Sequence, residues 1–262
     1  PSRRRRGTHR LPARRDLPAR SRAAAPAVPH PGRPRRGAAE RRPGSPAESS
    51  ERGGTTLARR VRAYVGLGGN VGDSRATLGA AVRALAALPG AGLRGVSGLY
   101  VTRPVGVADQ PDFHNAVVAL DVPAGPTPEA GATALLAALK GLERAFGRRA
   151  RRRWGPRELD LDLLVFGRAR LSVERPPGVE SDDPAKTGLP LVVPHPEARG
   201  RLFVLAPLAE LAPALVPPGW GERVATARDR QAAAEGSGAV RRVADWTGDG
   251  WSARAGSTPA SR

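Results

Sequence analysis

The chain has 262 residues, with 43 basic against 24 acidic side chains, a formal net charge of +19 and no cysteine. Without cysteine there is no disulfide, no thiol nucleophile and no thiolate metal ligand, and a reducing, cytoplasmic setting is expected. No apolar run approaches the roughly 18–20 residues of a membrane span, so no membrane partner is expected. The charge is uneven: the first 60 residues hold 17 arginines against 4 acidic residues. With no methionine in the chain, Pro1 is not expected to be an ordinary translational start.

Residues 1–60 are mostly Arg, Pro, Ala, Gly and Ser, with no aromatic side chain. Such a segment buries too little apolar surface to offset its ordering entropy and is expected to be a disordered extension. It also lacks the rings on which bases stack, which argues against a dedicated nucleic-acid arm. From there the pattern is globular, and a single domain is expected over 61–220. Residues 62–67 read as a short strand that runs into the turn Gly68-Gly69-Asn70-Val71-Gly72-Asp73. A helix follows, with Ser74 as its cap, Leu78, Val82, Leu85 and Leu88 on one face, and Pro89-Gly90 as a stop. Strands are expected over 93–101 and 113–122, joined by a loop. Thr127-Pro128 opens a second helix, with Leu135, Leu139, Leu142 and Phe146 at helical spacing. An Arg-rich loop leads to a strand over 158–166. Residues 172–190 read as a polar loop insertion, 191–215 as short apolar elements, and 221–262 as a mostly irregular tail. The order β, α, β, β, α, β predicts an α+β class, a ferredoxin-like core with a mostly antiparallel sheet and helices packed on it.

The sharpest chemical signal is Arg153-Trp154-Gly155-Pro156-Arg157-Glu158-Leu159-Asp160-Leu161-Asp162-Leu163. Side chains alternate along a strand, so Asp160 and Asp162 share a face, about 7 Å apart, while the leucines take the other. The carboxylates could simply meet solvent or neighbouring arginines. They could instead hold hard divalent cations, which take oxygen ligands and keep positions for phosphate and water. The arginines at 148, 149, 151, 152, 153 and 157 favour a polyphosphate between metal and guanidinium groups. Trp154 is either a core anchor or a stacking surface for a flat substrate. Phe113 and Asn115 leave a stiff, proline-containing loop on one face of a strand, suited to stacking on a heterocycle and bonding its edge. In Val193-Pro194-His195-Pro196, followed by Arg201 and Phe203, the histidine has no serine–aspartate partners to make it a nucleophile's base. The glycine-rich turn after the first strand lacks the Gly-Lys-Ser/Thr ending of a phosphate loop.

Taken in order, these segments resemble the 6-hydroxymethyl-7,8-dihydropterin pyrophosphokinase family of folate synthesis. The resemblance covers residues 61–220. It rests on the Leu-Gly-Gly-Asn-Val-Gly-Asp turn, Tyr100 and the stretch from Thr102 to Asn115, Glu143 with Gly147-Arg148, Arg153 through Asp162, and the Val-Pro-His-Pro segment with Arg201 and Phe203. It implies pyrophosphate transfer from ATP to the hydroxymethyl group of the pterin, giving the pterin diphosphate and AMP. Asp160 and Asp162 would hold two Mg²⁺ ions arriving with ATP. Glu143, Arg151, Arg153, Trp154, Arg157, His195 and Arg201 would contact ATP, and backbone near Leu163 and Val192 would read adenine. Arg148 and Arg157 would stabilise developing charge. The pterin would lie between Phe113 and Phe203, near Trp154, its edge read by Asn115 and the Thr102 and Val105 backbone, under mobile loops that close over the site.

Some features depart from the pattern. Arg103 stands where an acidic, proline or small residue is common, and Phe113 where tyrosine is frequent. Several arginines compete for the basic position between Arg148 and Arg153, of which Arg151 is taken. The 172–190 connection is longer than usual, and the basic head has no family counterpart. The competing reading is a ferredoxin-like nucleic-acid module using the basic tail, which leaves the carboxylate pair without a role. A monomer with no specific nucleic-acid partner is expected.

Overall fold

The valine- and alanine-rich segments pair into one sheet around β1 (Arg60–Gly69), in a computed structural model that describes residues 59–104, 110–147, 155–179, 188–236 and 238–253. β1 is flanked by β4 (Phe113–Pro123) and β5 (Asp160–Phe166), both antiparallel to it. β2 (Gly92–Val96) and β3 (Leu99–Thr102) lie one after the other along the far side of β4. β8 (Val240–Trp246) and β9 (Trp251–Ala253) extend the sheet beyond β3. β6 (Leu171–Val173) and β7 (Leu191–Val193) form a separate pair. The expected α+β architecture with a mostly antiparallel sheet is therefore present.

Two helical layers cover the sheet. On one face, α1 (Ser74–Ala86) and α2 (Pro128–Ala145) bury Leu78, Val82, Leu85, Leu135 and Leu139 against Val65, Val118, Leu161 and Leu163. On the other face, α3 (Leu202–Leu211) and α4 (Val224–Glu235) set Leu205, Leu208 and Ala227 against Tyr64, Val117, Ala119 and Leu164. The central strands β1, β4 and β5 thus bury both faces along part of their length, which is why 116–120 reads as a continuous apolar run rather than an alternation. No helix among the described residues is long and apolar enough to cross a membrane.

Several local expectations are corrected. Asp73, not Ser74, caps α1 by accepting from Ala76 N–H at 2.9 Å. The hydroxyl of Ser74 instead meets His114 Nδ1 at 2.7 Å. Thr127 caps α2 as expected, accepting from Ala130 N–H at 3.2 Å, with Pro128 in the first turn. The strand expected over 93–101 is broken at Ser97-Gly98. Ser97 bridges the break, because its N–H donates to Val117 O at 3.0 Å and its hydroxyl accepts from Val117 N–H at 2.9 Å. Residues 172–190 are not wholly loop, since β6 ends within them and Val179 is buried. The largest correction is at 221–262, where α4, β8 and β9 replace the irregular tail. α4 buries only Val224 and Ala227, so its apolar stripe is too thin to read as a helix. Of the extension expected to be disordered over 1–60, residues 1–58 lie outside the described residues, as do the loop positions 105–109 and 148–154, while Arg60 already opens β1.

Burial, followed by the positive charge of Arg75, holds the His114 imidazole below its ordinary value. The unfolded chain then takes up the proton first as pH falls through about 6.5, so stability rises with pH in that window and is lost below it. The melting temperature should fall between pH 7.5 and 5.5, and His114→Asn should flatten that slope. An unchanged slope in the variant would remove His114 from this role.

Candidate active site

The alternation in β5 does the first work. Leu161 and Leu163 are buried in the α1–α2 layer, while Asp160 and Asp162 point to the other face and into a cavity of about 920 Å³. The cavity sits on the α3–α4 side of the sheet, over the ends of β1, β3, β4 and β5. Gly66 and Gly68 of β1 form part of its floor. A Cβ on Gly68 would meet Asn115 Oδ1 at 3.4 Å, so the glycine keeps the floor flat beside that carboxamide.

Three loops converge at this end of the sheet through Asn70, which is buried. Its Nδ2 donates to Gln110 Oε1 at 3.2 Å and to Pro111 O at 3.0 Å, and its Oδ1 accepts from Arg157 N–H at 2.8 Å. Its own N–H donates to Arg157 O at 2.9 Å. One side chain therefore ties the β1–α1 turn to the approach to β4 and to the segment entering β5. That segment runs so close to β1 that a Cβ on Gly69 would fall 2.7 Å from Glu158 O. Only glycine fits there.

Within the cavity wall, Arg157 is ion-paired to Asp160. Arg201 is ion-paired to Glu197 and lies over the Phe203 ring, its guanidinium carbon 5.6 Å from the centroid. Asn115 is buried and donates from Nδ2 to Thr102 Oγ1 at 2.9 Å. Phe113 pairs across the sheet with Thr102. The cavity thus has an acidic and cationic end at β5 and, near β3 and β4, a region with two phenyl rings and a carboxamide. It offers a place for a polyphosphate beside a place for a flat, polar-edged ring.

Of the residues singled out in the sequence, Thr102, Phe113, Asn115, Arg157, Asp160, Asp162, Arg201 and Phe203 line this cavity. Val105, Arg148, Arg151, Arg153 and Trp154 lie outside the described residues. The side chain of Leu163 is in the core, so it could offer only its backbone. Val192 and His195 sit beside β5 rather than in the wall, with His195 N–H donating to Leu164 O at 2.9 Å and His195 Nδ1 accepting from Glu197 N–H at 3.3 Å.

Glu143 requires a correction. The resemblance placed it among the groups contacting ATP, but its side chain is fully buried, 2.8 Å from Lys140 Nζ. Its Oε1 accepts from Leu161 N–H at 2.7 Å. The carboxylate therefore holds β5 at the residue between the two aspartates, from behind. The signal was present in α2: Leu136, Leu139, Lys140 and Glu143 fall on one helical stripe, so the charged pair had to be buried. Asn70, Glu197 and Glu235 are further site residues that were assigned no role from the sequence, and Arg103, read there only as a departure from the pattern, lines the cavity.

Glu143→Ala would leave the Lys140 ammonium buried without its carboxylate and Leu161 N–H without its acceptor. Removing one member of a buried pair costs about 3–5 kcal/mol. Urea unfolding should show a loss of that order, and a loss below about 1 kcal/mol would contradict the buried-pair account.

A family model described as 7,8-dihydro-6-hydroxymethylpterin-pyrophosphokinase matches residues 64–213. The 2-amino-4-hydroxy-6-hydroxymethyldihydropteridine pyrophosphokinase of Methylorubrum extorquens is 43% identical over 168 residues, covering 64% of this chain and 93% of the relative. The protein of that name from Pseudomonas aeruginosa is 43% identical over 154 residues, covering 59% of this chain and 82% of the relative. The solved structure of wild-type Plasmodium falciparum HPPK-DHPS with pteroate aligns with a TM-score of 0.55 at 13% identity, over 74% of this chain and 48% of that one. At that identity the likeness is one of fold, and this chain spans about half the length of that protein. The family match runs from β1 through α3 and so takes in most of the cavity, both aspartates and the Asn115 region included. On that span the chain belongs to the 7,8-dihydro-6-hydroxymethylpterin pyrophosphokinase family.

Proposed function

We propose that this chain transfers the β,γ-pyrophosphoryl group of ATP to the hydroxymethyl oxygen of 6-hydroxymethyl-7,8-dihydropterin, a step of folate synthesis. The observation that carries the proposal is the meeting, in one cavity, of Asp160 and Asp162 on a single face of β5 with Phe113, Asn115 and Phe203. The names of the relatives support it. The bond formed joins the hydroxymethyl oxygen to the β-phosphorus. The bond broken frees the bridging oxygen with AMP, and the hydroxyl proton is released.

The donor set fits Mg²⁺. Two carboxylates supply hard oxygen ligands, and no group of three or more candidate ligands occurs among the described residues. The remaining positions would go to phosphate and water, as is usual for this ion. Bound there, Mg²⁺ would draw charge from the phosphates. The chain's own part is positioning and charge. Asp160 and Asp162 would hold the metal–nucleotide complex against β5. Arg157, released from Asp160, would turn its guanidinium to the transferred group, with Arg201 as a second cation at the wall. Phe113 and Phe203 would stack on the pterin faces, and the Asn115 carboxamide would bond the ring edge. Thr102 Oγ1 fixes which way that carboxamide points, because it takes one of the Nδ2 hydrogens.

AMP formation from ATP, Mg²⁺ and 6-hydroxymethyl-7,8-dihydropterin tests the proposal. Wild type should release AMP and the pterin diphosphate. Asp160→Ala or Asp162→Ala should each lower turnover at least about a hundredfold, the scale expected for losing a charge that acts at the transition state. Full activity in both variants would end the metal assignment, and a wild type that forms no AMP would end the reading. Asn115→Ala should instead raise KM for the pterin more than about tenfold, since an unmatched polar edge costs about 1–3 kcal/mol. An unchanged KM would remove the carboxamide from pterin recognition.

A further inference from the structure

The family match ends at residue 213, yet the cavity wall does not. Glu235, Ala239 and Val240 line the same cavity as Thr102, Phe113 and Phe203. The sheet register explains why. Thr102 of β3 is the partner of Phe113 on one side and of Val240 on the other. Laterally paired residues on antiparallel strands project to the same face. Phe113, Thr102 and Val240 therefore form one row across the floor, and β8 carries that row one strand spacing, about 4.8 Å, beyond the matched segment.

This added wall is held firmly. Arg242, two residues along β8, pairs with Glu210 at 2.7 Å, and Glu210 also accepts from Tyr100 O–H and, at 2.7 Å, from Gly98 N–H. Trp251 of β9 is buried, and its Nε1 donates to Ser97 O at 2.9 Å. Its carbonyl accepts from Arg75 Nε at 2.8 Å. At the other side of the cavity, Glu235 ends α4 and accepts from Leu202 N–H at 3.1 Å, at the start of the helix that carries Phe203. The C-terminal segment thus borders Thr102, the cross-strand partner of Phe113, and holds the start of the helix that carries Phe203.

We infer that Glu235, Ala239 and Val240 supply a resident wall of the pterin subsite, with Val240 the residue that sets how large a ring fits over Thr102. The inference rests on the pterin reading of the cavity. It makes substrate recognition in this chain depend on a segment outside the part that matches its family.

The full-length chain carrying Val240→Trp or Val240→Ala tests it. The readouts are titration of 6-hydroxymethylpterin fluorescence and, separately, the affinity for a non-hydrolysable ATP analogue with Mg²⁺. Val240→Trp should weaken pterin binding at least tenfold and Val240→Ala three- to fivefold, with nucleotide affinity within twofold of wild type in both. Where the tryptophan variant does not fold by circular dichroism, the alanine variant decides. Pterin affinity within twofold of wild type in a folded variant overturns the wall. So does an equal loss of nucleotide and pterin affinity, which would mark a general structural effect. The two failures are separable: an AMP-forming wild type with an indifferent Val240 overturns this inference alone, whereas a wild type that binds no pterin overturns the functional reading and this inference with it.

Discussion

The molecule turns on the two-residue period of one strand. β5 must bury Leu161 and Leu163 against α1 and α2, and that requirement leaves Asp160 and Asp162 no choice of face. A slip of one residue would bury two carboxylates and expose two leucines, so the register is protected by a large hydrophobic penalty as well as a polar one. Glu143 adds a second lock by receiving the N–H of Leu161. The carboxylate pair is thus aimed by groups that never touch the cavity. The core and the site are the same constraint seen from opposite sides of the strand.

The rest of the site is assembled at the strand ends. Asn70 brings together three segments far apart in sequence, and Gly69 allows the segment entering β5 to pass within backbone contact of β1. Arg157, at that junction, gives its backbone to Asn70 and its guanidinium to Asp160. In this arrangement the acid that would receive a metal is already balanced by a cation. Exchange of that partner for a metal–nucleotide complex would free Arg157 to meet phosphate, which couples nucleotide arrival to placement of the guanidinium.

Much of this was legible in the chain, for physical reasons that differ from place to place. The Asp-Leu-Asp-Leu alternation fixes a strand and its faces, and the apolar stripes of α1 and α2 are long enough to fix two helices. Thr127-Pro128 carries its own start signal. The Ser74 cap was misplaced by one residue because Asp73 caps equally well, and the deciding factor, His114, lies 40 residues away. The family likeness implies an ATP contact for Glu143, although its stripe on α2 marks it as buried. The C-terminal elements were invisible for a different reason. α4 has almost no apolar face, and β8 places arginines in the middle of a strand, so their order comes from tertiary partners: Glu210 for Arg242 and Ser97 for Trp251. Long-range contacts of that kind leave no periodic trace in the sequence.

On the proposed reading, Asp160 and Asp162 hold divalent ions that carry the nucleotide's phosphates, and Arg157 gives up Asp160 when they arrive. A crystal structure with Mg²⁺, a non-hydrolysable ATP analogue and the pterin measures this directly. Octahedral ions should lie about 2.0–2.1 Å from carboxylate oxygens of both aspartates, with the Arg157–Asp160 pair broken and the guanidinium at a phosphate. An intact Arg157–Asp160 pair, with the nucleotide's cations held by other groups, would contradict that reading.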